Sequence, residues 1–205
     1  MRVGGLGQRL QELIAEVAPV TDAQIDGFVR YVELLSTWNE RINLTALPLG
    51  FPLPDTTLEK LIVEPLRATR WISGSASWGD LGSGGGSPAI PLKIVRPDTD
   101  LHLIESRGRK CAFLRTVLRE LDAKSAHVHC GRFEQLTAVT ATELPPWDVL
   151  TVRAVRLDSP LLDRIRLALR SRGRLVVFGA APDAHPGFEV SEADDVVTVL
   201  TRSEQ

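Results

Sequence analysis

The sequence predicts an α/β protein with a doubly wound, mostly parallel sheet of the Rossmann-like kind and a helical extension at its N-terminus. Short apolar segments alternate with helical ones from Ser77 onward, a glycine-rich run follows the first strand, and the next strand ends in a carboxylate. The 205 residues are enough for one such domain with a modest extension. We expect the extension over residues 1–75 and the sheet domain over residues 76–205.

Helical periodicity dominates the extension. The predicted helices cover residues 10–17, 21–38 and 58–71. The second begins at a capping box in which Thr21 is followed three residues later by Gln24. Pro65 lies inside the third and lacks an N–H group, so this helix should bend or break there.

The remaining sequence alternates strands with helices. The predicted strands cover residues 76–81, 100–105, 125–130, 147–152 and 173–179. Helices are predicted near residues 88–96, 107–122 and 158–171. The segment 181–187 is too short for a crossover helix, so residues 187–202 should form an antiparallel pair at the sheet edge.

The glycine-rich run is the strongest functional motif. Asp80 ends the first strand and leads into Gly82, Gly84 and Gly86. Glycine lacks a Cβ, so such a loop can approach a ligand closely. Glu105 follows about twenty residues after the glycines at the tip of the neighbouring strand, where a carboxylate accepts the ribose hydroxyls of a nucleoside cofactor.

Two cofactors fit such a loop. Residues 84–89 satisfy the dinucleotide pattern G-x-G-x-x-A, which keeps NAD as an alternative. Pro88 and Pro91, however, remove amide groups that would bind a pyrophosphate. S-adenosylmethionine has no phosphate, so the loop favours this cofactor.

The ends of the later strands supply further candidates. Phe133 and Glu134 follow the third strand and would flank an adenine, although core packing and an exposed helix start explain them equally well. Arg153 follows the fourth strand, where it would bind the carboxylate of the cofactor, an RNA phosphate or the O6 atom of a guanine.

Composition limits the class of protein. Hydrophobic residues make up 43% of the chain and charged residues 24%, with a net charge of −2, as in an ordinary globular protein. There is no apolar run of spanning length and no signal peptide, so we expect a cytoplasmic protein without a membrane partner, and a monomer. Cys111 and Cys130 lack metal or disulfide spacing, so we expect buried thiols and no metal site.

Four segments together resemble one family. They are WNERINLTA at residues 38–46, DLGSGGGSPAIPL at 80–92, ESRGRKCAFL at 105–114 and RAV at 153–155. Between residues 34 and 178 the chain is similar to the ribosomal RNA small-subunit methyltransferase G family, also called glucose-inhibited division protein B. The resemblance implies a class I methyltransferase fold and methyl transfer from S-adenosylmethionine to N7 of a guanine in small-subunit ribosomal RNA, free or within the 30S subunit.

The resemblance also implies roles for particular residues. The cofactor would touch a set of five residues. They are Gly82, Ser87, Phe133, Glu134 and Arg153. Guanine N7 has a free lone pair and no proton to remove, so the reaction needs alignment and exclusion of water more than acid–base catalysis, and we expect no catalytic acid or base. Arg41 and Asn43 would line the acceptor side, although a turn that only caps the extension is an equally good interpretation.

The chain departs from the family pattern at several positions. Ser87 replaces an aromatic or large apolar residue, and Ala89 replaces a glycine. Residues 61–66 read LIVEPL where the family has His-Phe-Leu-Asp-Ser-Leu, and a family Lys-Gly pair is missing from residues 177–180. These departures predict an altered acceptor side. They keep two alternatives open: a methyltransferase with another acceptor, and a non-catalytic relative that binds RNA or the ribosome.

Overall fold

The computed structural model describes residues 5–72, 76–136, 144 and 146–204. Seven strands form one sheet. They are β1 Ser77–Leu81, β2 Asp100–Glu105, β3 Ala126–Cys130, β4 Trp147–Arg153, β5 Leu169–Phe178, β6 Phe188–Ala193 and β7 Val197–Arg202. Their order is β3-β2-β1-β4-β5-β7-β6, with β1 to β5 parallel and β7 antiparallel to both β5 and β6. The predicted α/β class and the antiparallel pair at the edge are confirmed.

Eight α-helical segments surround the sheet in the described residues. They are α1 Leu6–Ile14, α2 Asp22–Asn39, α3 Asp55–Leu58, α4 Glu64–Leu66, α5 Ala89–Val95, α6 Gly108–Glu120, α7 Phe133–Leu136 and α8 Ser159–Ala168. The capping box predicted for α2 is present: the Thr21 hydroxyl accepts from the Gln24 amide at 3.3 Å, and the Gln24 side chain accepts from the Thr21 amide at 2.9 Å.

The predicted third helix is divided into short segments, which we call the segmented helix. A π turn, Glu59–Val63, separates α3 from α4, and a 3₁₀ turn, Arg67–Trp71, follows α4. Pro65 lies in the first turn of α4, where its missing N–H group costs no helical hydrogen bond. The helical pattern changes from π to α just before Pro65, but the backbone stays helical on both sides of it, so the predicted break is absent and a bend there stays a prediction.

The first helix begins and ends earlier than predicted, at Leu6 and Ile14, and the predicted boundary between the last helix and the strand after it is wrong. The sequence predicts a helix to residue 171 and a strand from residue 173, but α8 ends at Ala168 and β5 begins at Leu169. Leu169 is buried and pairs with Trp147, and the register then shifts before Val149. Strand pairing across this bulge therefore overrides the helical pattern of the segment.

The extension and the sheet share one apolar core. Leu10 of α1 and Phe28 of α2 belong to the same buried cluster as Trp78 of β1 and Leu103 of β2. A second cluster, on the other face of the sheet, contains Leu162 of α8. The sequence predicts that the extension ends at residue 75. Residues 73–75 lie outside the described residues, so the division of the chain into two parts stays a prediction. No helix in the described part of the chain is long and apolar enough to cross a membrane.

Candidate functional site

The glycine loop joins β1 to α5 through backbone conformations that favour glycine. Gly82, Gly84 and Gly86 have φ values of 70°, 50° and 92°. A Cβ atom on Gly82 would lie 2.8 Å from Val155, and one on Gly86 would lie 2.7 Å from Ile90. The loop is thus pressed against the chain that follows β4 on one side and against α5 on the other, which excludes larger residues at both positions.

Tyr31 of α2 holds the glycine loop by a hydrogen bond to its backbone. Its hydroxyl donates to the Gly85 carbonyl at 2.7 Å, and its ring lies 3.3 Å from the position of a Cβ on Gly86. Tyr31 is fully buried, and burial raises the pKa of its phenol well above the usual range, so the hydroxyl stays protonated as a donor. Tyr31 carries the only polar group among the buried side chains of α2, and its hydroxyl fixes the backbone of the glycine loop.

Asp80 lies beneath the loop. Its Oδ1 accepts from the Thr151 hydroxyl at 2.6 Å, whereas its Oδ2 is buried without a hydrogen-bond partner among the described residues. Burial raises the pKa of this carboxyl to about 7. An ionised Asp80 is thus costly in this environment unless a positive charge lies nearby.

Glu105 connects the ends of β1 and β2. It is 7% exposed; its Oε2 accepts from the Gly84 amide at 3.0 Å and its Oε1 from the Arg107 amide at 2.8 Å. A carboxylate has about four lone-pair sites, so two amide donors leave further acceptor capacity. The side chain is therefore held in place while it can still accept from a ligand.

Two adjacent pockets open at this edge of the sheet. The first, of about 340 Å³, lies between the glycine loop and the loop after α2; the second, of about 230 Å³, lies between β2 and α7. Gly82 and Val155 line both. Glu105, Phe133 and Glu134 line the second pocket only. The carboxyl ends of parallel strands are where open α/β sheets bind their ligands.

Arg153 closes the first pocket and holds the segmented helix. It donates to the Glu64 carboxylate at 2.9 Å, to the Ser87 hydroxyl at 3.2 Å and to the Lys60 carbonyl. Its side chain is 21% exposed, and burial lowers the pKa of its guanidinium while Glu64 partly offsets this. The Ser87 hydroxyl in turn donates to the Leu61 carbonyl at 3.0 Å. Arg153 therefore links the end of β4 to the segmented helix and to the glycine loop.

Comparison with known proteins agrees with this arrangement. The family model for rRNA small subunit methyltransferase G matches residues 24–202. The chain belongs to this family. A relative of that name from Neisseria gonorrhoeae (strain NCCP11945) is 36% identical over 152 residues, which cover 72% of this chain and 67% of the relative. Another, from Roseiflexus sp. (strain RS-1), is 35% identical over 183 residues, which cover 89% and 72%.

Solved structures share the fold of this G-family chain. A putative O-methyltransferase from Klebsiella pneumoniae aligns with a TM-score of 0.60 at 14% identity, over 98% of this chain and 99% of that one. A putative protein-L-isoaspartate O-methyltransferase from Plasmodium falciparum, solved with S-adenosyl-L-homocysteine, aligns with a TM-score of 0.57 at 13% identity, over 97% and 95%. The predicted class I methyltransferase fold is confirmed.

The predicted acceptor residues do not line either pocket of this G-family chain. Arg41 and Asn43 are both exposed. Asn39 instead shapes the loop after α2, because its Oδ1 accepts from the Leu44 amide at 2.9 Å and from the Thr45 amide at 3.0 Å. This loop covers the glycines and lines the first pocket. The second half of the motif at residues 38–46 therefore faces the site, rather than its centre.

Other predicted residues sit at different depths in the G-family site. Gly82, Gly84 and Ser87 line the first pocket, whereas Asp80 at the end of β1 and Gly86 at the end of the loop line neither pocket. Sequence reasoning missed several lining residues. They are Thr45, Ala46, Lys110, Ala154 and Val155. All five lie within the four quoted segments, so membership of a motif is the signal that could have found them.

Proposed function

We propose that this protein transfers a methyl group from S-adenosylmethionine to N7 of a guanine in 16S ribosomal RNA. The observation that carries the proposal, beside family membership, is the pair of pockets that meet at Gly82, with Glu105 buried at the wall of one and Arg153 at the wall of the other. A nucleoside cofactor fills the second pocket in this proposal, and the acceptor base enters the first.

The residues present fit S-adenosylmethionine. Glu105 accepts hydrogen bonds from the ribose hydroxyls with its free lone pairs, and Phe133 presents an apolar face to the adenine beside Glu134. Gly82 lines this pocket without a side chain, so a ligand can approach the backbone of the loop closely. The Oδ2 of Asp80 is buried under the loop without a hydrogen-bond partner among the described residues, and a bound cofactor with a positive charge would stabilise the ionised carboxyl. When bound, the cofactor supplies an electrophilic methyl group on a sulfonium.

The protein aligns and shields the reacting atoms. Guanine N7 attacks with a free lone pair, so no side chain has to remove a proton. Leu44 covers the glycine loop at Gly85 and lines the first pocket together with Ala46, so both residues help to exclude water from it. Arg153 is a positioning residue: it holds the Ser87 hydroxyl and the Lys60 carbonyl, and so fixes the segmented helix beside the acceptor.

An RNA partner fits the distribution of positive charge. Arg107, Arg109, Arg132 and Arg156 follow the ends of β2, β3 and β4, are exposed, and have guanidinium groups without an ion pair or hydrogen bond among the described residues. Several arginines farther from this edge are ion-paired. They include Arg30 and Arg119 with Glu120, Arg70 with Glu192, and Arg170 with Asp148. Unneutralised cations around the pockets attract phosphates despite the net charge of −2.

The proposal also covers the partner, the oligomeric state and the location of the protein. We propose the 30S subunit as the partner, a monomeric enzyme and a cytoplasmic location, because the acceptor is ribosomal RNA. Residues 1–75 serve as the cover of the acceptor side in this proposal, since α2 and the loop after it contact the glycine loop.

The test is tritium transfer from labelled S-adenosylmethionine to 30S subunits that lack the modification, with calorimetric titration of the cofactor and of NAD beside it. We expect cofactor binding and label at guanine N7 of 16S ribosomal RNA. Binding without label in RNA would point to a different acceptor or to a non-catalytic relative. Binding of NAD instead would overturn the cofactor assignment.

Two arginines on the same helix provide a matched pair for the RNA contact. Arg109 begins α6 beside the pockets, whereas Arg119 lies near its other end and pairs with Glu120. We expect Arg109→Ala to weaken RNA binding. The slope of the logarithm of the affinity against the logarithm of the salt concentration should become shallower by about one. Arg119→Ala should leave both unchanged, and equal losses in the two variants would contradict the location of the interface.

A further inference from the structure

The two cysteines meet beside the second pocket. Cys111 lies in the first turn of α6 and Cys130 ends β3, and their Sγ atoms are 2.6 Å apart. This separation exceeds a covalent S–S bond by only about 0.6 Å. Cys130 is exposed, so the expectation of two separate buried thiols is wrong.

We propose that Cys111 and Cys130 form an oxidisable dithiol, which small-molecule disulfides convert reversibly into an intramolecular disulfide that lowers the affinity of the second pocket for S-adenosylmethionine. The effect on affinity rests on the proposed function, whereas formation of the disulfide does not.

The reaction proceeds in two exchange steps. The Cys130 thiolate attacks one sulfur of the small disulfide, forms a mixed disulfide and releases one thiolate. The Cys111 sulfur then attacks the Cys130 sulfur, breaks the mixed disulfide and passes its proton to the departing second thiolate. Two protein thiols are oxidised in total, and one small disulfide is reduced to two thiols.

Exposure decides which cysteine reacts first. Cys130 is accessible to a reagent, whereas Cys111 is fully buried. Burial raises the pKa of the Cys111 thiol to about 12, so this group stays protonated and unreactive toward reagents in solution. Cys111 already contacts the Cys130 sulfur, which becomes a target for attack only when a mixed disulfide has formed on it.

The dithiol is linked directly to the wall of the pocket. In the reduced protein the Cys111 thiol donates to the Glu105 carbonyl at 3.2 Å, and the Gly131 amide donates to the same oxygen at 3.0 Å. Cys130 pairs with Glu105 in the sheet and directly precedes Gly131, and both of these neighbours line the second pocket. Disulfide formation removes the bond from Cys111 and moves the end of β3, so the pocket changes shape.

The first measurement is mass spectrometry of the full chain after incubation with oxidised glutathione, alkylation of free thiols and digestion. We expect peptides joined through Cys111 and Cys130, with the loss of two hydrogen atoms, and recovery of both thiols after treatment with dithiothreitol. In Cys111→Ser the glutathione should remain attached to Cys130, because the second step has no sulfur. A wild-type protein that keeps glutathione on Cys130, or stays unmodified, would overturn the proposal.

The second measurement is calorimetric titration of reduced and oxidised protein with S-adenosylmethionine. Loss of one hydrogen bond at the pocket wall should weaken binding by about threefold to tenfold in the oxidised form. Cys130→Ser, treated identically, should bind equally before and after oxidised glutathione. Unchanged affinity of a disulfide-bonded wild type would overturn the effect on the pocket. A disulfide in a protein that binds no cofactor in either state would instead refute the proposed function.

Discussion

The cofactor side and the acceptor side of the site are held together in different ways. On the cofactor side, the Glu105 carboxylate accepts amides from Gly84 and from Arg107, within 21 residues of itself. On the acceptor side, Arg153 contacts Lys60 and Glu64, which are 93 and 89 residues away. The first side is built from local loops around one carboxylate, and the second from a long-range ion pair. Substitutions on the cofactor side and on the acceptor side should therefore affect different properties of the protein.

The largest expected effect is the loss of cofactor binding in Glu105→Ala. The variant loses two charge-assisted hydrogen bonds to ribose, each worth about 1.5–3 kcal/mol, so affinity for S-adenosylmethionine should fall by about 100-fold or more. Glu134→Ala is the matched control, because this exposed carboxylate lines the same pocket and should cost only a few-fold. Calorimetric titration compares them; an unchanged affinity in Glu105→Ala would refute the placement of the ribose.

Asp80 should make stability depend on pH on the cofactor side. The pKa of its carboxyl is about 7 in the folded protein, above its ordinary value of 3.8. The folded state thus binds the proton more tightly, and the contribution of Asp80 to the free energy of unfolding is complete below pH 4 and is lost as pH rises through 7. Since a pKa difference of one corresponds to about 1.4 kcal/mol, we expect a loss on the order of 4 kcal/mol over this range.

Urea denaturation of the wild type and of Asp80→Asn measures this contribution. The amide is neutral at every pH, so the variant should lack the fall in stability between pH 4 and pH 7. If the free energy of unfolding falls equally in both proteins, titratable groups other than Asp80 cause the pH dependence.

On the acceptor side, Arg153→Ala should affect stability and transfer more than cofactor binding. It leaves the half-buried Glu64 carboxylate without its partner, which should cost about 2 kcal/mol of unfolding free energy. Addition of Glu64→Ala should restore part of that loss, because the unpaired charge disappears. Urea denaturation of the single and double variants checks the coupling, and strictly additive losses would show that the pair is not coupled.

Tyr31→Phe should give the smallest effect and influence both sides, because Tyr31 holds the loop that lies between them. The variant loses one buried hydrogen bond to the Gly85 carbonyl, so the free energy of unfolding should fall by about 1 kcal/mol and cofactor affinity by a few-fold. Denaturation and calorimetry measure both. A stability loss without any change in affinity would limit Tyr31 to a packing role.

The difference between local and long-range contacts also explains which features the sequence predicts well. The strands β1 and β2, the glycine loop and the position of Glu105 follow from local patterns: apolar runs, glycines and a carboxylate at fixed spacing. The early start of β5 depends on the pairing of Leu169 with Trp147, which no local pattern reveals.

The acceptor side depends even more on distant contacts. Ser87 departs from the family pattern, and Glu64 stands where the family has Asp within a stretch that departs from it at other positions. Both bind Arg153 and together hold the segmented helix. The tertiary fold alone brings these residues together, so no local pattern in the sequence reveals their contacts, and the altered acceptor side stays a prediction. Arg41 and Asn43 were chosen from a motif whose other members, such as Thr45, turn toward the pocket.

The most direct test of the division between the two sides is single-turnover methyl transfer to 30S subunits at saturating S-adenosylmethionine. Saturation compensates for weak cofactor binding, so Glu105→Ala should recover to within about threefold of the wild type, while Arg153→Ala stays at least about tenfold slower. Equal recovery of both variants, or a deficit confined to Glu105→Ala, would contradict the separation of cofactor and acceptor sides.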